Sequence, residues 1–134
     1  MKEFVTDTHS LIWHLTQNSR ISEKASKIFR DTDSGISRIY IPNIILVEIV
    51  YIIEKLRIPD QTINNVIDLF NSFPNNYILH QITPKTIHCM RSFSRDLIPD
   101  MPDRIIAASS LELGFPLITK DGKITDSGII DTIW

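Results

Sequence analysis

The chain is poor in the residues that build several common kinds of site. One cysteine, Cys89, in 134 residues leaves no partner for an internal disulfide and agrees with a reducing compartment. It directly follows His88, and adjacent side chains on a helix point in different directions, so it reads as a small half-buried residue and not as a nucleophile. The four histidines, His9, His14, His80 and His88, include no His-x-x-x-His pair and have no partner cysteines, which argues against zinc. Only four glycines are present, Gly35, Gly114, Gly122 and Gly128, so neither a P-loop nor a dinucleotide fingerprint can be written. A G-x-S-x-G elbow is also missing. No apolar run is long enough to span a bilayer. The opening MKEFVTDTHS reaches Asp7 before any secretory core can form, so a cytoplasmic location without membrane association is expected. Nor is positive charge in excess: 14 Lys and Arg stand against 16 Asp and Glu, a formal net charge of −2. That balance argues against a protein that coats nucleic acid. It leaves room for a nuclease, whose metal-holding carboxylates cancel basic residues elsewhere.

What is present is the composition of an ordinary globular domain, 43% hydrophobic and 22% charged, expected to form one unit over residues 1–134. Phe4 to Thr6 predicts a short strand that stops at Asp7, and a helix follows from Thr8 to Leu15. Ser22 is placed to cap the helix SEKASKIFR, with Ile21 as the outer half of a hydrophobic staple. RIYIP predicts a strand ended by Pro42, and Asn43 is expected to cap the next helix. Ile63, Val66, Ile67 and Phe70 fall at helical spacing behind Pro59 and Asp60. NYILHQI predicts a third strand, followed by a helix after Pro84. The helix DRIIAASSLEL closes on Gly114, FPLIT predicts a fourth strand, and the Gly-containing tail ends in a candidate edge strand at Ile133 and Trp134. Short β runs alternating with helices indicate an α/β fold, with a mostly parallel sheet of about five strands and helices on both faces.

The acids fall where such a fold collects functional groups. Two strand candidates stop on aspartates, Asp7 and Asp121, and carboxyl ends of strands are where open α/β sheets bind ligands. Asp103 lies in the first turn of its helix, three residues after Asp100; alone, that pair reads as an N-cap with an acid favoured by the helix dipole. Glu48 is harder to explain structurally. In NIILVEIVYII, residues 43 to 53, it is the one carboxylate among ten uncharged side chains, and Ile44, Ile45, Tyr51 and Ile52 are its neighbours one turn away. A salt bridge to Arg38 or Lys55 is the structural alternative to a functional role. If the sheet gathers Asp7, Glu48, Asp103 and Asp121, each pair at about 4 Å repels by about 4 kcal/mol at an effective dielectric of about 20. Such a cluster stays ionised only with cations in it, and oxygen ligands without His or Cys select Mg²⁺ or Mn²⁺.

These residues resemble the PIN domain, and within it the VapC-like toxins of bacterial toxin–antitoxin pairs. The resemblance rests on DTHSLIW at 7 to 13, LVEI at 46 to 49, DMPDRIIAAS at 100 to 109, LITKD at 117 to 121 and the closing Ile133 and Trp134. It implies a Mg²⁺-dependent ribonuclease, with Mn²⁺ as a substitute, and a catalytic metal site built from Asp7, Glu48, Asp103 and Asp121. Asp100 and Thr119 are the implied supporting residues. Arg104 is expected to contact phosphate, or else to pair with a neighbouring acid. The resemblance also implies RNA as substrate, a small antitoxin protein as partner, and a homodimer. Thr6, Asn43 and Met101-Pro102 depart from the commonest pattern without removing a proposed ligand. An RNA-processing nuclease without a toxin role, or a non-catalytic binding protein on the same fold, are the competing readings. A phosphate-accepting signalling domain fits less well, because it wants adjacent acids after the first strand and an aspartate after the third.

Overall fold

Alternation of short β-branched runs with amphipathic helices produces, in a computed structural model that describes residues 1–134, five strands and seven helices. In chain order they are β1 (Lys2–Thr6), α1 (Thr8–Leu15), α2 (Glu23–Asp33), β2 (Ser37–Pro42), α3 (Ile44–Glu54), α4 (Thr62–Ser72), β3 (Tyr77–His80), α5 (Pro84–Arg91), α6 (Met101–Leu113), β4 (Leu117–Ile118), α7 (Gly122–Ser127) and β5 (Thr132–Ile133). All strand pairs are parallel, in the order β3-β2-β1-β4-β5. Successive strand residues point to opposite faces, and Phe4, Val5 and Thr6 are all buried, so helices cover both sides of the sheet.

The chain moves outward from β1 to β2 to β3, then crosses back to place β4 on the other side of β1. The direction of winding therefore reverses between β1 and β4. Val5 stands opposite Leu117 and Thr6 opposite Ile118. The ladder continues one step further, where the Asp7 N–H donates to the Ile118 carbonyl at 3.1 Å. At such a reversal the helices that follow the two strands lie on opposite faces and leave a crevice above the strand ends.

Local chemistry explains most element ends. Ser22 Oγ accepts from the Ala25 N–H at 3.1 Å, and Gly114, at φ 75°, closes α6 in the left-handed region where a side chain would be strained. Three boundaries differ from expectation. Asn43 is not a side-chain cap: its backbone is already helical (φ −65°, ψ −19°), its N–H donates to the His80 carbonyl at 2.9 Å, and its Oδ1 is buried without a partner. The fourth helix opens at Thr62, beyond Pro59 and Asp60. The polar tail contains α7, six residues with only Ile124 buried; a single apolar anchor leaves no periodicity to read.

Helix α3 is apolar nearly throughout, yet it buries only one stripe. Ile44, Ile45 and Ile49 enter the core, while Val47, Val50 and Tyr51 remain exposed. Ile49→Ala is therefore expected to destabilise the fold by about 2–5 kcal/mol, whereas Val50→Ala should change stability by no more than about 0.5 kcal/mol. Urea unfolding followed by circular dichroism separates the two. Similar losses at both positions would contradict this placement of the stripe.

Candidate functional site

The site begins with Asp7, which follows β1 directly and caps α1. Its Oδ1 accepts from the Ser10 N–H at 2.9 Å and its Oδ2 accepts from the Thr119 hydroxyl at 2.5 Å. Thr119 in turn accepts from the Asp121 N–H at 3.0 Å, so one buried hydroxyl ties the ends of β1 and β4 together. Asp121 caps α7 by accepting from the Ile124 N–H at 2.9 Å. On the other wall, Asp100 caps α6 by accepting from the Asp103 N–H at 3.2 Å, and this leaves Asp103 in the first turn. Glu48, one position before buried Ile49, accepts a short hydrogen bond from the Thr8 hydroxyl.

These acids surround one cavity of about 590 Å³. Asp7, Glu48, Asp100, Asp103 and Asp121 all line it, together with Thr8, His9, Trp13, Arg20 and Lys120. The chain's ion pairs lie elsewhere: His14–Asp33, Lys27–Asp31, Arg30–Glu23, Arg38–Glu3 and His80–Glu112. The structural alternative for Glu48 lacks both its partners: Arg38 is engaged by Glu3 at 3.0 Å and by the Asn75 carbonyl at 2.9 Å, and Lys55 is in none of the ion pairs.

Crowded acids without cations resist ionisation. Burial, then the neighbouring charges of Asp100, Asp121, Glu48 and Asp7, push the Asp103 carboxyl up to about 7. Glu48 is raised by burial and further by Asp100 and Asp7, against the Thr8 hydrogen bond and the nearby His9. Burial also raises Asp7, although its hydrogen bonds from Ser10 and Thr119 favour the carboxylate. As the side chains stand, no three of them form a ready cage for an ion. Each of Asp7, Glu48, Asp100 and Asp121 is held to its own wall by a hydrogen bond, and only the Asp103 carboxylate has no such tether.

The PIN domain model matches residues 4–128. The chain belongs to the PIN domain family. Among curated proteins no sequence matches it, but solved structures share the fold. The crystal structure of VapBC2 from Rickettsia felis bound to a DNA fragment from their promoter matches with TM-score 0.68 at 13% identity, over 98% of this chain and 97% of that one. FitAcB from Neisseria gonorrhoeae matches with TM-score 0.62 at 12% identity, over 98% and 96%.

Within this PIN domain the four principal acids and Asp100 meet at one cavity, and Thr119 stands behind two of them. Arg104 departs from its expected place. Its Nη2 donates to the Met90 and Phe93 carbonyls at 3.0 and 2.9 Å, and its guanidinium lies 5.5 Å from the Phe93 ring centroid. It fastens α6 to the end of α5 and does not face the acids. Sequence reading passed over Thr8, His9, Trp13, Arg20 and Lys120. The first three lie within the DTHSLIW stretch, where adjacency to Asp7 was the available signal; Arg20 has no comparable mark.

The charge crowding sets a pH dependence. A carboxyl whose folded pKa is raised binds more protons in the native than in the unfolded state between the two values. Stability therefore falls as pH rises from the ordinary aspartate value of 3.8 through about 7. Metal-free protein is expected to melt at a higher temperature at pH 5.5 than at pH 7.5, and Asp103→Asn should raise the melting temperature at pH 7.5 and flatten the profile. A wild-type melting temperature that rises steadily from pH 5 to 7.5 would contradict the crowded site.

Proposed function

We propose that this PIN domain is a Mg²⁺-dependent ribonuclease and the toxin of a toxin–antitoxin pair. The observation that carries the reading is the gathering of five carboxylates, none in an ion pair, around one cavity above β1 and β4. Membership of the PIN family supports nuclease chemistry. The VapC-like motifs and the fold shared with VapBC2 support the toxin role.

The donor set fits a hard divalent cation. Every candidate ligand is a carboxylate oxygen, and the raised Asp103, Glu48 and Asp7 are what a site built around positive charge shows without it. Mg²⁺, or Mn²⁺ in its place, would be held by Asp7, Glu48, Asp103 and Asp121, with Asp100 in support. When bound, such an ion supplies Lewis-acid polarisation of a phosphodiester and activation of water. The chain's own residues do the rest. Thr119 fixes Asp7 relative to Asp121, and Thr8 holds Glu48 at the cavity wall, where its carboxylate can accept a proton from the attacking water. Exposed Arg20 and Lys120 at the rim offset the acids toward a polyanionic strand. The antitoxin and a second copy are the expected protein partners, and Val47, Val50 and Tyr51 on α3 offer apolar surface for one of them. No helix is long and apolar enough to cross a membrane, which agrees with a cytoplasmic site of action.

Asp7→Asn is expected to reduce RNA cleavage more than about 100-fold, beyond the roughly 10–100-fold expected of a positioning change such as Thr119→Val. Chelation should stop wild-type cleavage, and induced Asp7→Asn should not arrest growth. Equal growth arrest by both proteins, or cleavage that survives chelator, would overturn the mechanism. Glu48→Gln is expected to abolish cleavage while raising the metal-free melting temperature, since the amide keeps the Thr8 contact and removes a like charge. A lowered melting temperature would instead mark Glu48 as a structural residue.

A further inference from the structure

A second cavity, of about 370 Å³, adjoins the acidic one and shares His9, Trp13 and Arg20 with it. Its electrostatic character is opposite. No aspartate or glutamate lines it, whereas Arg20 and Arg57 both do. Unlike Arg30 and Arg38, neither of these guanidinium groups is in an ion pair. Two unpaired cations around an acid-free cavity suit an anion, and the volume lies within the range of about 300–1,000 Å³ typical of small-ligand pockets.

We propose that this cavity is a nucleotide subsite, in which a base of single-stranded RNA packs on Trp13 and its phosphate lies between Arg20 and Arg57. The proposal rests on the ribonuclease reading and adds where the strand runs on leaving the carboxylates. A polyanion drawn into a cavity of five acids needs anchorage outside it, and the only wall shared by the two cavities carries an indole. Trp13 is positioned by an edge contact with Trp134, with centroids 5.7 Å apart, and by tilted His9 at 5.8 Å. Ile52 and Ile58 add apolar surface to the lining. Asn18 brings an amide whose Oδ1 is already used by the Arg20 N–H at 2.9 Å, leaving Nδ2 as a donor for a base edge. Stacking on an aromatic ring with a cation on the adjacent phosphate is how single strands are held with little dependence on sequence.

The test is anisotropy of a fluorescein-labelled, mixed-sequence single-stranded RNA 12-mer, measured on full-length Asp7→Asn protein so that the strand survives. Arg57→Ala and Trp13→Ala are each expected to weaken binding about tenfold, and Trp13→Phe to recover most of the loss. Arg57→Ala should also reduce the salt slope of log K by about 0.7, one phosphate contact on a single strand. Arg30→Ala, the same charge change at a residue that lines neither cavity, should leave binding unchanged. Arg57 is exposed, so its variant reads the groove even where Trp13→Ala lowers the melting temperature. If Arg57→Ala and Trp13→Phe both bind like Arg30→Ala, and Trp13→Ala with them, while wild type cleaves RNA, the subsite is wrong and the ribonuclease reading stands. If wild type neither cleaves nor Asp7→Asn binds the RNA, both fall. Variants that bind RNA normally but lose the antitoxin would assign the groove to a protein partner and overturn the proposal.

Discussion

The candidate site of this molecule hangs on the pairing of β1 with β4. Only two strand residues on each side make the pairing, Val5 with Leu117 and Thr6 with Ile118, yet it is where the sheet reverses its winding and where Asp7 and Thr119 emerge side by side. The contact between those two residues turns a topological accident into a site. Thr119 donates to Asp7 across the two strand ends and accepts from the Asp121 backbone on its own side, so a displacement of β1 against β4 would break the Asp7 bond and leave the hydroxyl proton without an acceptor. Because Thr119 is almost fully buried, water cannot readily replace a lost partner, and the geometry is enforced by the cost of leaving a buried polar group unsatisfied.

The same cavity works against stability. Hydrophobic burial holds α3 and α6 in place and thereby forces Glu48 and Asp103 toward Asp7 and Asp121. The protein accepts raised carboxyl pKa values and relieves part of the crowding by tethering individual carboxylates. Three tethers are helix caps, at Asp7, Asp100 and Asp121; each gives an acid a structural role that persists whether or not a cation is present. Capping and the proposed metal binding are therefore compatible uses of the same side chains. At Asp100 and Asp121 a cap oxygen occupied by one backbone N–H leaves the other oxygen of the carboxylate for an incoming cation; at Asp7 both oxygens accept a hydrogen bond, and each keeps a second lone pair.

This overlap explains what was legible in the sequence. The parallel α/β architecture could be read because every strand but the last lies in a short run of apolar, aromatic or β-branched residues with a helix after it. The acids could be read because two of them end strands and one sits in an apolar helix with nothing to pair with. Arg104 was misplaced because adjacency to Asp103 suggested a shared direction, whereas on a helix neighbouring side chains diverge by about 100°, and carbonyls at the end of α5 were the nearer partners. Helix α7 was missed for want of periodicity. The Thr8 tether of Glu48 spans 40 positions, and Trp13 and Arg57, similarly far apart in the chain, line one cavity; such juxtapositions depend on how α1 and α3 pack, which no local pattern encodes.

The net charge of −2 then takes on a different meaning. It is not the signature of a weakly charged surface, but the near cancellation of unlike regions that meet at Trp13. One cavity gathers five acids and the other none, and the two arginines of the second are left without carboxylate partners. A uniformly neutral surface of the same composition would pair those groups, as it does Arg30 with Glu23 and Lys27 with Asp31. Segregating them leaves attraction between surface groups unused on both sides. Exposed pairs are worth only about 0–1 kcal/mol each, so the loss in stability is small, whereas the field it creates suits the cation proposed on one side of the indole and the anion proposed on the other. A phosphodiester chain with a bound cation carries both.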